Sequence, residues 1–95
     1  MIDFEQFIID RITEFRLKMG LTQREVGNII HASASFIGNI ESKNSTAKYS
    51  IKHICLLATY FKLKPVYFLM SDSDYIKLEP SYRWKDLLTL LILKR

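Results

Sequence analysis

His31, His53 and Cys55 are the side chains best suited to hold a metal or to pair as nucleophile and base, and their spacing argues against both uses. His53 and Cys55 stand two residues apart, which on a helix turns them about 200° from one another, so they cannot close on one ion. His31 is too isolated in the sequence to suggest a metal site, and a role in a turn suffices for it. The chain has no glycine-rich phosphate loop and no nucleophile–base arrangement, so neither an enzyme nor a cofactor is expected. Cys55, the single cysteine, cannot form an internal disulfide and reads as a core residue.

What remains is hydrogen-bonding and ionic chemistry. The stretch HASASFIGNIESK, residues 31–43, carries short side chains: Ala32, Ala34, Gly38 and the hydroxyls of Ser33 and Ser35, with Asn39 as its amide and Lys43 its only base. The net charge of +4 is unevenly spread, because residues 16–64 hold eight Lys or Arg against Glu25 and Glu41 alone. A basic middle favours a polyanion through counterion release, and a solvated basic face explains the charge equally well.

The elements that would position these groups follow from apolar spacing. Residues 3–19 place Phe4, Ile8, Ile12, Phe15 and Met19 at helical period behind Asp3 as N-cap. Gly20 ends that helix in a positive-φ conformation, with Leu21 folding back. Thr22 and Glu25 form a capping box for a second helix, 23–30, which buries Val26, Ile29 and Ile30. Gly27 inside it costs about 1 kcal/mol and points to the close approach of another helix. Ser33 caps a third helix, 34–42, with Phe36, Ile37 and Ile40 inward, and residues 43–49 read as a polar loop. Ser50 caps a fourth helix with Ile51, Ile54, Leu57, Ala58 and Phe61 on its apolar face, and Pro65 opens a short fifth through about Met70. Residues 71–81 read as a linker, with room for a short strand at 75–78, before a last helix at 82–94.

Two short helices joined by three residues, with Val26, Ile30, Ile37 and Ile40 on the inner side, make a helix-turn-helix. The runs RLKMGLTQREVG, SASFIGNIE and LLATYFKL resemble the Xre family of helix-turn-helix proteins over roughly residues 8–70. That resemblance implies double-stranded DNA as partner. It matches Ala34, Ser35, Gly38 and Asn39 to groove-facing positions, and Gln23 to a residue that binds a phosphate. Ser42 and Lys43 fall where the family approaches the DNA backbone, and Arg16 with Glu41 matches a recurring structural ion pair. On this alignment Ala34 can meet a thymine methyl, Ser35 a phosphate or base, and Asn39 can bond bidentately to adenine. Gln23, Arg24, Lys43, Lys48 and helix N-terminal amides would supply the phosphate contacts. Without the resemblance, Asn39 and Gln23 read as solvated residues on helix faces; Lys52, Lys62 and Lys64 read as solvated either way. The chain departs from the pattern at His31 and Lys43, where glycine is common, with Asn44 then expected to take the left-handed cap, and in a slightly longer loop before the fourth helix.

The last helix, SYRWKDLLTLLILKR, sets Trp84, Leu87, Leu88 and Leu91 on one stripe and adds Leu90, Ile92 and Leu93 around it. One apolar face can cover its own domain, and the other, with Leu90 and Leu93, reads as a dimer interface. Residues 1–9 lack a basic start and 87–93 are too short for a bilayer, so a cytoplasmic protein with no membrane contact is expected.

The sequence therefore predicts an all-α chain: a five-helix repressor-like helix-turn-helix domain at 1–70, a linker at 71–81 and a C-terminal dimerisation helix at 82–95. The expected function is sequence-specific DNA binding by a transcriptional regulator, a repressor acting as a homodimer on two half-sites. The alternatives are an antitoxin that holds a toxin partner through the C-terminal helix, and a protein-interaction module that has lost DNA binding.

Overall fold

The computed structural model describes residues 3–77, whose regular structure is all helical: five α-helices and one 3-10 helix, with no strand among them. Helix α1, Phe4–Lys18, starts where the Asp3 carboxylate accepts the amides of Glu5 and Gln6. It stops at Gly20, whose φ of 72° lets the Leu21 amide reach back to the Arg16 carbonyl at 2.9 Å and the Gly20 amide to Leu17 at 3.1 Å. That doubly bonded end fixes the direction in which the chain enters α2, Gln23–Ile30. Thr22 and Glu25 close the expected capping box there, with bonds of 3.0 and 2.8 Å.

The turn between α2 and α3, Ala34–Glu41, depends on His31, which adopts φ 62°, ψ 44°. A side chain in that region is strained, and histidine bears it less well than glycine. The close approach at Gly27 is that of the turn's backbone. A Cβ there would lie 2.5 Å from the Ala32 carbonyl oxygen. Helix α3 ends on extended Ser42, and neither Lys43 nor Asn44 has positive φ, so the expected left-handed cap at Asn44 does not form. Instead the Ser42 hydroxyl accepts the Asn44 amide, which turns the chain without it. The left-handed residue that sequence reading did not anticipate is Lys62, with φ 58°, just past α4, Ile51–Tyr60.

The core gathers Ile12 and Phe15 of α1, Val26 and Ile30 of α2, Ile37 of α3, and Ile54, Leu57 and Ala58 of α4. Phe15 sits edge-on to Phe61, Tyr67 and Phe68 at 5.1, 5.9 and 5.2 Å. The last two belong to the 3-10 helix Pro65–Leu69, which takes the place of the expected fifth helix.

Seven of the expected core positions sit further out. Ile8, Met19, Ile29, Phe36 and Phe61 are only half-buried against the core, and Phe4 and Ile51 are exposed, Ile51 to 80%. Ile51 precedes Ile54 by three residues on the first turn of α4 and is left to solvent there. Cys55 is also exposed rather than core. At about 100° per residue it is turned a quarter-circle from Ile54 and roughly opposite to Leu57.

The stretch expected to be linker is ordered in its first part. Residues Asp72–Ile76 form α5, capped by the Ser71 hydroxyl, and Tyr75 is 1% exposed, edge-on to Tyr67 at 5.3 Å. The helix is also tied to α1 by Arg11. That side chain is buried, donates from Nε to the Tyr67 carbonyl at 3.0 Å and pairs with Asp72 at 2.9 Å. The packed unit therefore runs through Tyr75 instead of stopping at residue 70. The expected helix at 82–95, with Trp84, Leu90 and Leu93, lies outside the described residues. Among the described residues no helix is long and apolar enough to cross a membrane.

Candidate functional site

Helix α3 has two unlike sides. Ile37 and Ile40 are buried, whereas Ser35, Asn39 and Ser42 are exposed and follow one another at four- and three-residue steps, so they share a stripe. Ala34, Gly38 and Glu41 form the adjacent stripe, half-buried, facing the start of α2. The exposed stripe thus carries a hydroxyl, an amide and a second hydroxyl with no long side chain, a surface that another molecule could approach to backbone distance.

Beneath it lies an ionic support. Arg16 donates from Nε and Nη2 to the two oxygens of Glu41 at 2.8 and 2.9 Å, and from Nη1 to the Leu21 carbonyl at 2.8 Å. The pair is nearly dry, 13% and 10% exposed. It joins the end of α1, the link to α2 and the end of α3, which holds the α3 stripe in a fixed orientation to the rest of the domain.

Gln23 belongs to the same network. Its Nε2 donates to Glu41 Oε1 at 3.0 Å, so the side chain expected on a phosphate is held within the molecule through one of its two N–H bonds. The absence of a side chain at Gly38 makes room for this, since a Cβ there would lie 3.3 Å from Gln23 Oε1. Lys48 departs further from expectation. Its ammonium is hydrogen-bonded to Glu5 near the start of α1, and that bond and the Glu5 charge raise its pKa. Arg24 and Lys43 are exposed and enter no ion pair among the described residues. The structure therefore brings Ser35, Asn39 and Ser42 together, flanks them with Ala34, Gly38 and Gln23, and commits Lys48 elsewhere.

Two side chains near α3, His53 and Tyr49, have roles that the sequence expectations do not include. His53 closes a capping box with Ser50, its Nδ1 accepting the Ser50 amide at 3.0 Å. The S-x-x-H spacing, with imidazole in the place usual for glutamate, was the available signal. Tyr49 is half-buried with its hydroxyl enclosed, and burial, reinforced by the Glu41 charge, pushes that hydroxyl's pKa upward. Among the described residues no three His, Cys, Asp or Glu side chains gather as a metal site. An open groove of about 780 Å³ runs between α2 and α4 past Leu21, Ile29, Leu56 and Tyr60, and none of the α3 stripe lines it.

No family model, curated protein or solved structure matches the chain.

Proposed function

We propose that the chain is a sequence-specific double-stranded DNA-binding regulator of the Xre type, with α3 as the element that enters the major groove. The observation that carries the reading is the α3 stripe of Ser35, Asn39 and Ser42, bare of long side chains and braced from behind by Arg16, Glu41 and Gln23. A major groove about 12 Å wide admits a helix, and short side chains let its backbone approach the base edges. Asn39 is the reader in this account, pairing with adenine N6 and N7, while Ala34 and Ser35 contact a thymine methyl and a phosphate or base. Arg24 and Lys43, with Ser42 and the free N–H of Gln23, hold the phosphates. The regulator acts most simply as a repressor that occludes polymerase. It meets two half-sites as a homodimer, joined through the C-terminal segment with Leu90 and Leu93.

A second reading, a protein-interaction module of the same architecture, draws support from Lys48 and Gln23, whose engagement with Glu5 and Glu41 thins the phosphate-facing set. A salt series on a duplex pool separates the two. With Arg24 and Lys43 as the cations, log affinity should fall with log salt at a slope of about −2 per copy, or about −4 for a pair. A slope well beyond that would mean that Lys48 leaves Glu5 on binding. No duplex binding at low salt would leave the interaction module.

A further inference from the structure

We propose that His53 is a pH-operated latch: neutral, it ties the first turn of α4 to α3 and to the segment before α4; protonated, it releases them and loosens the support of the α3 face. The consequence for DNA rests on the function proposed above, whereas the latch itself does not.

The geometry carries the argument. His53 stands at the third position of α4, where its Nδ1 accepts the Ser50 amide at 3.0 Å while its own amide donates to the Ser50 hydroxyl at 3.2 Å. An N–H can donate to Nδ1 only while that nitrogen keeps its lone pair. A proton there sets two donors against each other and opens the box. The imidazolium would also sit at the positive end of a helix, where a cation is unfavourable. A glutamate in this place would keep its charge in mildly acidic solution; a histidine changes state in that range.

The ring lies where that change is felt on both sides. Phe36 of α3 meets it edge-on at 5.4 Å, and Tyr49 of the preceding segment at 6.3 Å. Phe36 is the neighbour in sequence of Ser35, and the Tyr49 hydroxyl feels the charges of Glu41 and Arg16. The groups facing His53 are therefore Lys52 from its own helix, the Phe36 ring from α3, and the Tyr49 ring from the segment before α4, where Lys48 is turned to Glu5. No anion among these would stabilise an imidazolium. Burial first, and the Lys52 charge second, push the imidazole below its ordinary value. A histidine lowered in this way contributes its full stability above the unfolded-chain value of about 6.5, and loses it as pH falls through the lower folded value. The latch is closed at neutral pH and opens in mild acid.

The test is an NMR titration of the full chain from neutral pH into mild acid, reading the His53 ring and the hydrogen-exchange protection of the first-turn amides of α4. His53→Gln is the matched variant, because glutamine can complete the same box without titrating. His31, left in place in both proteins, is the internal control. The parent should lose protection roughly three- to thirtyfold, the range of a lost helix cap, in step with His53, while His53→Gln stays flat. Equal loss in both proteins, or a His53 that titrates at or above the ordinary histidine range, would overturn the latch. Duplex affinity measured over the same pH range should fall more for the parent than for His53→Gln. A latch that titrates as expected in a protein that binds no duplex would support the device and refute the DNA reading.

Discussion

Replacing Arg16 with alanine removes three hydrogen bonds, two to Glu41 and one to the Leu21 carbonyl. Glu41 is left about nine-tenths enclosed, with the Gln23 amide as its remaining partner, and the Leu21 carbonyl loses its donor at the junction of α1 and α2. Removing one member of a buried pair costs about 3 to 5 kcal/mol. The residual exposure of 13% and 10% and the Gln23 bond place this pair at the lower end. We expect about 3 kcal/mol, which for a domain this small lowers Tm by roughly 12 to 24 °C. Helix ellipticity followed through thermal and urea unfolding reads this directly. The apolar double variant Arg16→Met with Glu41→Leu should recover most of the loss, because replacing a whole buried pair is often close to neutral. An Arg16→Ala protein within about 0.5 kcal/mol of its parent would mean that the pair behaves as an ordinary surface contact and does not brace α3.

Gly27→Ala, which on an exposed helix would stabilise by about 1 kcal/mol, should here destabilise by roughly 1 to 3 kcal/mol, because its methyl meets the Ala32 carbonyl; urea midpoints decide the sign. Tyr75→Ala should cost about 3 to 5 kcal/mol in the same assay, the penalty for emptying a core aromatic site, whereas a true linker residue would cost almost nothing. His31→Gly should raise stability by about 1 kcal/mol by relieving the left-handed turn, with the melting temperature as readout.

The parts of the fold that sequence reading reached are those set by neighbours a few residues apart. The Thr22–Glu25 box, the glycine end of α1, the Ser33 cap and the strained His31 are all decided within one turn of chain, so residue type and spacing suffice for them. Helix α5 was missed for the opposite reason. SDSDY offers one apolar anchor, and what makes it helix is the distant Tyr67 and Arg11. Arg11 is a charged side chain on α1 whose burial depends on the distant 3-10 helix, where its guanidinium lies 4.2 Å from the Tyr67 ring centre. Periodicity names the apolar face of α4, yet not which of its positions another element covers, and Ile51 stays exposed. In the candidate site, the exposed stripe of Ser35, Asn39 and Ser42 follows from α3 and its period. The diversion of Gln23 to Glu41 and of Lys48 to Glu5 depends on side chains 18 and 43 residues apart, and no local pattern shows it.

Selection of bound duplexes from a random pool, run with the full chain and with Asn39→Ala, tests the proposed function most directly. The account predicts an enriched motif of two half-sites about 10 to 10.5 base pairs apart, or a multiple of that spacing, for the parent. It further predicts that Asn39→Ala, with its fold unchanged, loses the preference at one position of each half-site and keeps the rest. No enrichment at low salt would contradict DNA recognition by this chain, and an unchanged motif from Asn39→Ala would contradict the assignment of Asn39 as the residue that reads it.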